Sequence, residues 1–383
     1  MSIIKVNAIQ HTSANDTNMT FFANGNIAMT TANTVLRVGN TAISNSGISV
    51  GGVAVNPLTT GMRNRIINGD MRIDQRYVGA ANTVNALTAQ YNLDRWRFDN
   101  QSDAVLTVRQ MNSANSSASN YESGSAPSGF INSMKITVAT ADSSLTTNQY
   151  CQFQQPIEGL NCADLDWGTA NAKTVTLSFW VKSSVSGSYS FAMTNYAGNR
   201  TYPTTYTINQ ANTWEYKSIT IPGDTTGTWL TNNSIGLFPE WFIGYWSGYA
   251  GSSTGWNAGT QFLTTGTNSI VGTLNATLYI TGVQLEAGTV ATPFEWRHYG
   301  QELALCQRYY WQGNGLYVYN GTGATITAGG QTSWGQTMRI TPATTVQTGG
   351  IIATTSTGVT HYVSGVTSGS SGNPGIITAN AEL

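Results

Sequence analysis

Along most of the chain, apolar and polar residues alternate in short runs separated by turn residues. The clearest run is 174–182, where Val175, Leu177, Phe179 and Val181 alternate with Thr176, Ser178, Trp180 and Lys182. A period of two puts one set of side chains on each face of a strand, here one apolar and one mixed. The same pattern predicts strands at 94–98, 104–110, 133–138, 150–154, 188–194, 214–221 and 276–285. Eight or more such strands, punctuated by Gly, Ser and Asn, predict a two-sheet sandwich of jelly-roll type across residues 61–297.

The flanks follow different patterns. Residues 1–60 show brief alternation at 4–9, 19–22 and 36–38, broken by Asn24-Gly25-Asn26 and Gly39-Asn40. They hold too little large apolar material for a core of their own, so pairing with copies or with a partner is expected. The stretch 47–57 reads as a flexible connector. One helix is predicted within 298–312, where Tyr299, Leu303, Cys306 and Tyr310 recur at helical spacing. That stripe could face the sandwich or the same helix of another copy. Residues 313–383 return to β patterns, with strands expected at 315–319, 337–340, 351–354 and 375–381.

Composition narrows the function classes. Charged residues are only 9% of the chain and the net charge is −1, against roughly 25% charged in an average domain. With no basic run or basic helix, nucleic-acid reading is not expected. Apolar runs are short and broken by Thr or Gly, so no membrane insertion is expected, and the start of the chain lacks a signal peptide's pattern. Synthesis in a cytoplasm follows. Cys151, Cys162 and Cys306 form no CxxC motif, and Cys151 and Cys162 could pair only if their strands adjoin. His11, His298 and His361 lack ligand spacing and read as surface or capped histidines, so no metal site is assigned.

Several stretches, in order, resemble one recurring architecture. They are Asn64-Arg65-Ile66-Ile67-Asn68-Gly69-Asp70-Met71, then Asn92-Leu93-Asp94-Arg95-Trp96, then Gln154-Gln155-Pro156-Ile157-Glu158-Gly159. The series closes with Val283-Gln284-Leu285-Glu286-Ala287-Gly288 and Glu302-Leu303-Ala304-Leu305-Cys306-Gln307-Arg308-Tyr309-Tyr310. These resemble tail fibres and other virion appendages of tailed bacteriophages, which carry a carbohydrate-binding-module-like jelly roll and a C-terminal knob. The resemblance implies an all-β homotrimer exposed on the virion. Residues 1–60 would grip a tail adaptor or other virion protein, 61–297 would form the jelly roll, 298–312 the connecting helix and 313–383 the knob. It also implies host attachment through cell-surface polysaccharide, by a tail fibre or, alternatively, a head fibre or capsid decoration. A structural calcium ion is common in such jelly rolls, but no dense oxygen-ligand loop places one here, and no other cofactor is called for.

Asp94, Arg95 and Trp96 read as structural, an Arg–carboxylate pair beside a buried Trp. Glu286 reads as an anchoring carboxylate, paired with Arg95 or Arg297. The glycan-binding candidates lie in the aromatic stretch 238–256, read as a loop: Trp241, Tyr245, Trp246, Tyr249 and Trp256. Sugar rings stack their C–H faces on such side chains, although the same rings could equally pack on the sandwich or at a subunit interface. Glycan cleavage needs two positioned carboxylates. The pairs Asp164/Asp166, placed on one strand face, and Asp70/Asp74, flanking a turn, sit in no catalytic context, so no catalytic residue is assigned and a degrading tailspike is the rival reading.

Overall fold

A computed structural model describes residues 62–251, 255–259, 266–315, 326–366 and 374–383, with short strand segments between residues 8 and 55 and at 263–264, 318–319 and 371–372. Strands dominate the described residues, with one α-helix and three short 3-10 turns among them, so the fold is all-β. The chain divides into two compact units, Met1–Arg63 with Val290–Phe294, and Asn64–Thr289 with Glu295–Leu383.

In the first unit, Ala8–Gln10, Thr17–Phe21 and Ile27–Met29 form one antiparallel sheet, and Val35–Val38, Thr41–Ser44, Gly47–Val50 and Val53–Val55 form another. The stretch expected to be a connector therefore contains two paired strands. Its β-branched runs flank Gly51-Gly52 in sequence, which is a hairpin signal that outweighs the Gly-rich appearance.

The second unit contains a sandwich of two antiparallel sheets. One sheet runs Glu215–Ile221, Val175–Ser183, Thr277–Ala287, Asn132–Thr140, Val105–Asn112 and Asn82–Val84. The other runs Asn257–Ala258, Arg200–Ile208, Gly187–Asn195, Ile235–Tyr245, Tyr150–Gln154, Trp96–Asn100 and Thr88–Leu93, with Ile157–Glu158 also on Ile235–Tyr245. Each strand expected from alternation between 94 and 285 is present. Thr88–Leu93 and Arg200–Ile208 were not expected. The second carries Pro203, which reads as a strand breaker but here belongs to a strand near the sheet edge.

The largest departure concerns 238–249, expected to be a loop. Ile235–Tyr245 is an 11-residue strand inside the eight-stranded sheet. Leu237, Trp241 and Ile243 enter the core while Phe238, Glu240 and Phe242 face outward. Pro239 is tolerated because the neighbouring ladder is itself interrupted at Pro156, between Tyr150–Gln154 and Ile157–Glu158. Trp241 is fully buried, stacks on Phe153 at 5.4 Å and 4°, and takes Phe179 and Phe191 against it edge-on.

The helix spans Tyr299–Gln307. Half of the expected stripe holds, since Cys306 is buried and Leu303 packs on the same small core, whereas Tyr299 is exposed, Tyr310 opens the next strand and Glu302 is buried instead. Glu302 is drawn inward because it accepts from the Asn68 backbone N–H and meets Arg297 at 3.3 Å. Arg297 also reaches Glu295. Arg95, in the left-handed backbone region at φ 70°, pairs with Glu382 and donates to the Pro156 carbonyl under the ring of Tyr309. Neither arginine is the partner of Glu286, which is buried and accepts from Gln284 Nε2 at 2.8 Å. Asp94 accepts from the Gln75 backbone N–H and Nε2, and Trp96 donates to the Asn68 carbonyl at 3.0 Å. Burial pushes the Asp94 carboxyl up to about 7.

After the helix, Tyr310–Asn314 pairs with Ile376–Asn380, which also pairs with Ala343–Val346. A second sheet holds Ile326–Ser333, Gly358–Val366 and Gly350–Thr354. No strand forms at 337–340; Met338 instead fills a small core with Trp334, Val359 and Ile377. Within the expected strand 315–319, residues 316 and 317 lie outside the described residues. All three cysteines are free and buried, so Cys151 and Cys162 do not pair. His361 is not a surface residue: it is fully buried and meets Thr332 at 3.2 Å. His298 is exposed before the helix, and His11 lies outside the described residues.

Candidate functional site

Alternation along four adjacent strands sends aromatic and aliphatic side chains to the core and leaves a polar set on the outer face of the eight-stranded sheet. Register brings the set together. Arg97 lies opposite Gln154, and Gln154 opposite Glu240; one step along, Asp99 lies opposite Gln152, and Gln152 opposite Phe242. Thr194 lies opposite Phe238 on the next strand. These residues line a groove of about 330 Å³, with Tyr150 and Tyr249 on one side and Tyr196 on another. That volume is in the range of small-ligand clefts.

The floor is buried and polar. Glu240 is buried and accepts from Thr194 Oγ1 at 2.6 Å and Gln152 Nε2 at 3.2 Å. Burial pushes its carboxyl up to about 7, helped by the nearby Asp99 charge and opposed by those two hydrogen bonds and by Arg97. Asp99 accepts from Tyr150 OH at 3.2 Å and Gln101 Nε2 at 2.9 Å. Burial and the Asp99 charge raise the Tyr150 phenol. The Arg97 guanidinium makes no hydrogen bond or ion pair with the described residues. Gln152 Oε1 and Gln154 Oε1 are buried and meet no donor among them. Such atoms are scarce in folded proteins, because each costs roughly 1–3 kcal/mol.

The structure separates the residues singled out from sequence. Tyr249 lines the groove, edge-on to Tyr150 at 6.0 Å and to Trp246 at 5.6 Å. Trp246 folds over Gly248, where a Cβ would lie 2.1 Å from its ring. Tyr245 exchanges hydrogen bonds with Thr267. Trp256 lies elsewhere, packed against Trp167 and Trp229 with its indole N–H on the Pro222 carbonyl at 2.8 Å. Trp241, with no exposed surface, offers no face to a ligand. The polar residues of the groove escaped sequence reading because no local motif joins them; only the sheet order does.

The candidate acid pairs are also placed. Asp164 sits in a short 3-10 helix, not a strand, and binds Arg65 at 2.6 Å; Asp166 faces Lys173 at 3.3 Å. Asp70 pairs with Arg72, while Asp74 accepts the Tyr77 and Gly79 backbone N–H groups. Each is bound within the fold. Among the described residues, no cluster of three His, Cys, Asp or Glu side chains is arranged to hold a metal ion.

No family model matches the chain, and no curated protein matches it. Solved structures show similarity at low identity. The enzymatically active domain of bacteriophage CBA120 tailspike protein 4 is 11% identical with a TM-score of 0.29, over 59% of this chain and 21% of that one. The match thus spans about a fifth of that tailspike structure's length. A putative sugar binding protein from Bacteroides thetaiotaomicron VPI-5482 is 12% identical with a TM-score of 0.32, over 59% of this chain and 100% of that one. A family 11 carbohydrate-binding module from Clostridium thermocellum, in complex with a β-1,3-1,4-mixed-linked tetrasaccharide, is 11% identical with a TM-score of 0.26, over 56% and 99%. The functional reading therefore rests on the groove itself.

Proposed function

We propose that the chain is a non-enzymatic, glycan-binding appendage of a tailed-phage particle, holding host-surface polysaccharide in the groove on the eight-stranded sheet. The observation that carries this reading is a groove of about 330 Å³ that pairs the rings of Tyr150, Tyr196 and Tyr249 with the polar side chains of Arg97, Asp99 and Thr194. Rings take the apolar face of a sugar, and polar side chains along the groove take its hydroxyls. Residues 1–60 would attach a homotrimer to a tail adaptor or another virion protein. The test is adsorption of the full chain to host cells or purified surface polysaccharide. Tyr249→Ala and Tyr150→Ala should each weaken it about tenfold with little change in thermal midpoint. Unchanged adsorption in both variants would remove the groove as the site.

A cleaving reading would draw on Asp99 and Glu240, two carboxyls in one groove with the second raised to about 7. Incubation with the polysaccharide separates the two readings: the chain should bind the polymer and leave its length unchanged, whereas shortening would establish a depolymerase. Antibody labelling of particles by electron microscopy should place the chain on the tail; label confined to the capsid would make it a head fibre or decoration.

A further inference from the structure

A second, smaller cavity lies outside the groove, lined by the 3-10 turn Ala163–Leu165, the residues that flank it and the loop at 229–231. It is a pit of about 130 Å³, room for roughly four water molecules. Leu165, Leu237 and Cys162 are its buried lining, and the half-buried Trp229 meets Trp167 edge-on at 4.7 Å. Both indole N–H groups are spent on backbone carbonyls, of Lys173 at 2.7 Å and Thr226 at 3.2 Å, so the two tryptophans bring carbon surface to the pit and no donor. The pit is built into the backbone. A Cβ on Gly159 would lie 2.3 Å from the Leu230 carbonyl oxygen, and one on Gly168 would lie 3.2 Å from the Trp229 ring. Buried Asn195 pins the same loop by donating to the Thr228 carbonyl at 3.1 Å. At the rim stand two exposed polar side chains, Asp166 and Thr231. Asp166 meets Lys173 through Oδ2 at 3.3 Å, which leaves Oδ1 able to accept, and the Thr231 hydroxyl can donate.

We propose that this pit is a second glycan site, and that it takes the acetamido group of an N-acetylated amino sugar. The inference rests on the reading that the chain binds glycans, and not on the groove being the place. The acetyl methyl enters the apolar end against Leu165 and Leu237, the amide N–H donates to Asp166, and the carbonyl accepts from Thr231. Size excludes a whole hexose ring from a space of this volume. A sugar's hydroxymethyl arm would fit, but it would bury a hydroxyl against aliphatic carbon without a partner, which costs free energy. A deoxy-sugar methyl would fill the end and leave both rim groups to water. The acetamido group alone among these common substituents offers a methyl, a donor and an acceptor together, matching an apolar end with one acceptor and one donor at its mouth. Fixed backbone around the pit means that little ordering is lost when the group enters.

Saturation-transfer NMR titration of the full chain tests this. The probes are the methyl glycosides of N-acetylglucosamine, N-acetylgalactosamine and N-acetylmannosamine, each beside its parent hexose. At least one acetylated sugar should bind about tenfold tighter than its parent, with the strongest transfer at the acetyl methyl. Ala163→Leu, at a half-buried position lining the pit, should fill the space and abolish that advantage. Thr231→Val, at an exposed position where the fold is not at stake, should reduce it about fivefold. Tyr249→Ala, in the groove, should leave it intact. Equal binding of every acetylated sugar and its parent, or an undiminished advantage in both pit variants, would overturn the proposal while leaving glycan binding intact. No transfer to any acetyl methyl would also overturn it and assign the pit to an apolar side chain of a protein partner. Unchanged polysaccharide adsorption in Tyr150→Ala and Tyr249→Ala, with the acetyl advantage present, would sink the groove and support the pit.

Discussion

Gln154 and Gln155 are consecutive and equally hidden, yet they belong to different parts of the molecule. Gln155 spends its amide on one neighbour, accepting from the Ile67 N–H and donating to the Ile67 carbonyl, each at 2.8 Å. Gln154 leaves its Oε1 unmet in the groove. The contrast extends outward from each residue. Around Gln155, where the opening segment, the helix and the final residues meet, buried charges find partners in the chain: Arg95 with Glu382, Arg308 with Glu158 and Arg297 with Glu302. Around Gln154 the floor keeps acceptors without donors and a guanidinium without a carboxylate. Polar groups closed on each other hold parts of one chain together, while polar groups left open on a rigid sheet are fitted to something brought from outside.

The sharpest way to break this contrast is at the junction. Arg95→Met should cost about 3 to 5 kcal/mol in urea denaturation, toward the lower end because Arg76 still reaches Glu382 at 3.0 Å. A loss below about 1 kcal/mol would mean that the closed charges contribute little to cohesion. The next effect lies in the groove and depends on pH. The Glu240 carboxyl is raised from its ordinary 4.5 to about 7 in the folded state, so the folded chain holds a proton that the unfolded chain has released. Stability from this group therefore falls as pH rises from about 4.5 through 7, by as much as ~3 kcal/mol. Glu240→Gln removes that slope, and its advantage over the wild type should be absent at pH 4 and full at pH 8. Parallel curves for the two proteins would show that Glu240 is solvated after all.

Sequence alternation made the sandwich legible because its central strands send one apolar set to the core, as Val175, Leu177, Phe179 and Val181 do, even where the polar set between them is buried as well. It failed at Ile235–Tyr245 because Pro239, Gly244 and the Ser247-Gly248 pair look like loop punctuation. The inward set Leu237, Trp241 and Ile243 nevertheless alternates there as cleanly as elsewhere. Trp241 thus reads as a binding residue by its aromatic character, while its place in the period of two marks it as core. The helix could be located by spacing, but not its inward Glu302, whose partners come from residues 68 and 297. The groove was the least legible part. Arg97, Gln152, Thr194 and Glu240 meet only through strand order, and each looks like an ordinary polar position of an outer face.

The two adjacent glutamines allow the smallest and most direct comparison, since one substitution made twice changes the same atoms in both settings. Gln155→Met strands the Ile67 N–H and carbonyl in a buried site, and should cost about 2 kcal/mol in chemical denaturation. Gln154→Met strands almost nothing, because its Oε1 had no donor to lose, and burying a thioether there gains apolar contact with Phe238 and Phe242 along the groove. Its stability should stay within about 0.5 kcal/mol of the wild type, or rise slightly. A Gln154→Met variant as destabilised as Gln155→Met would mean that Gln154 is closed within the fold.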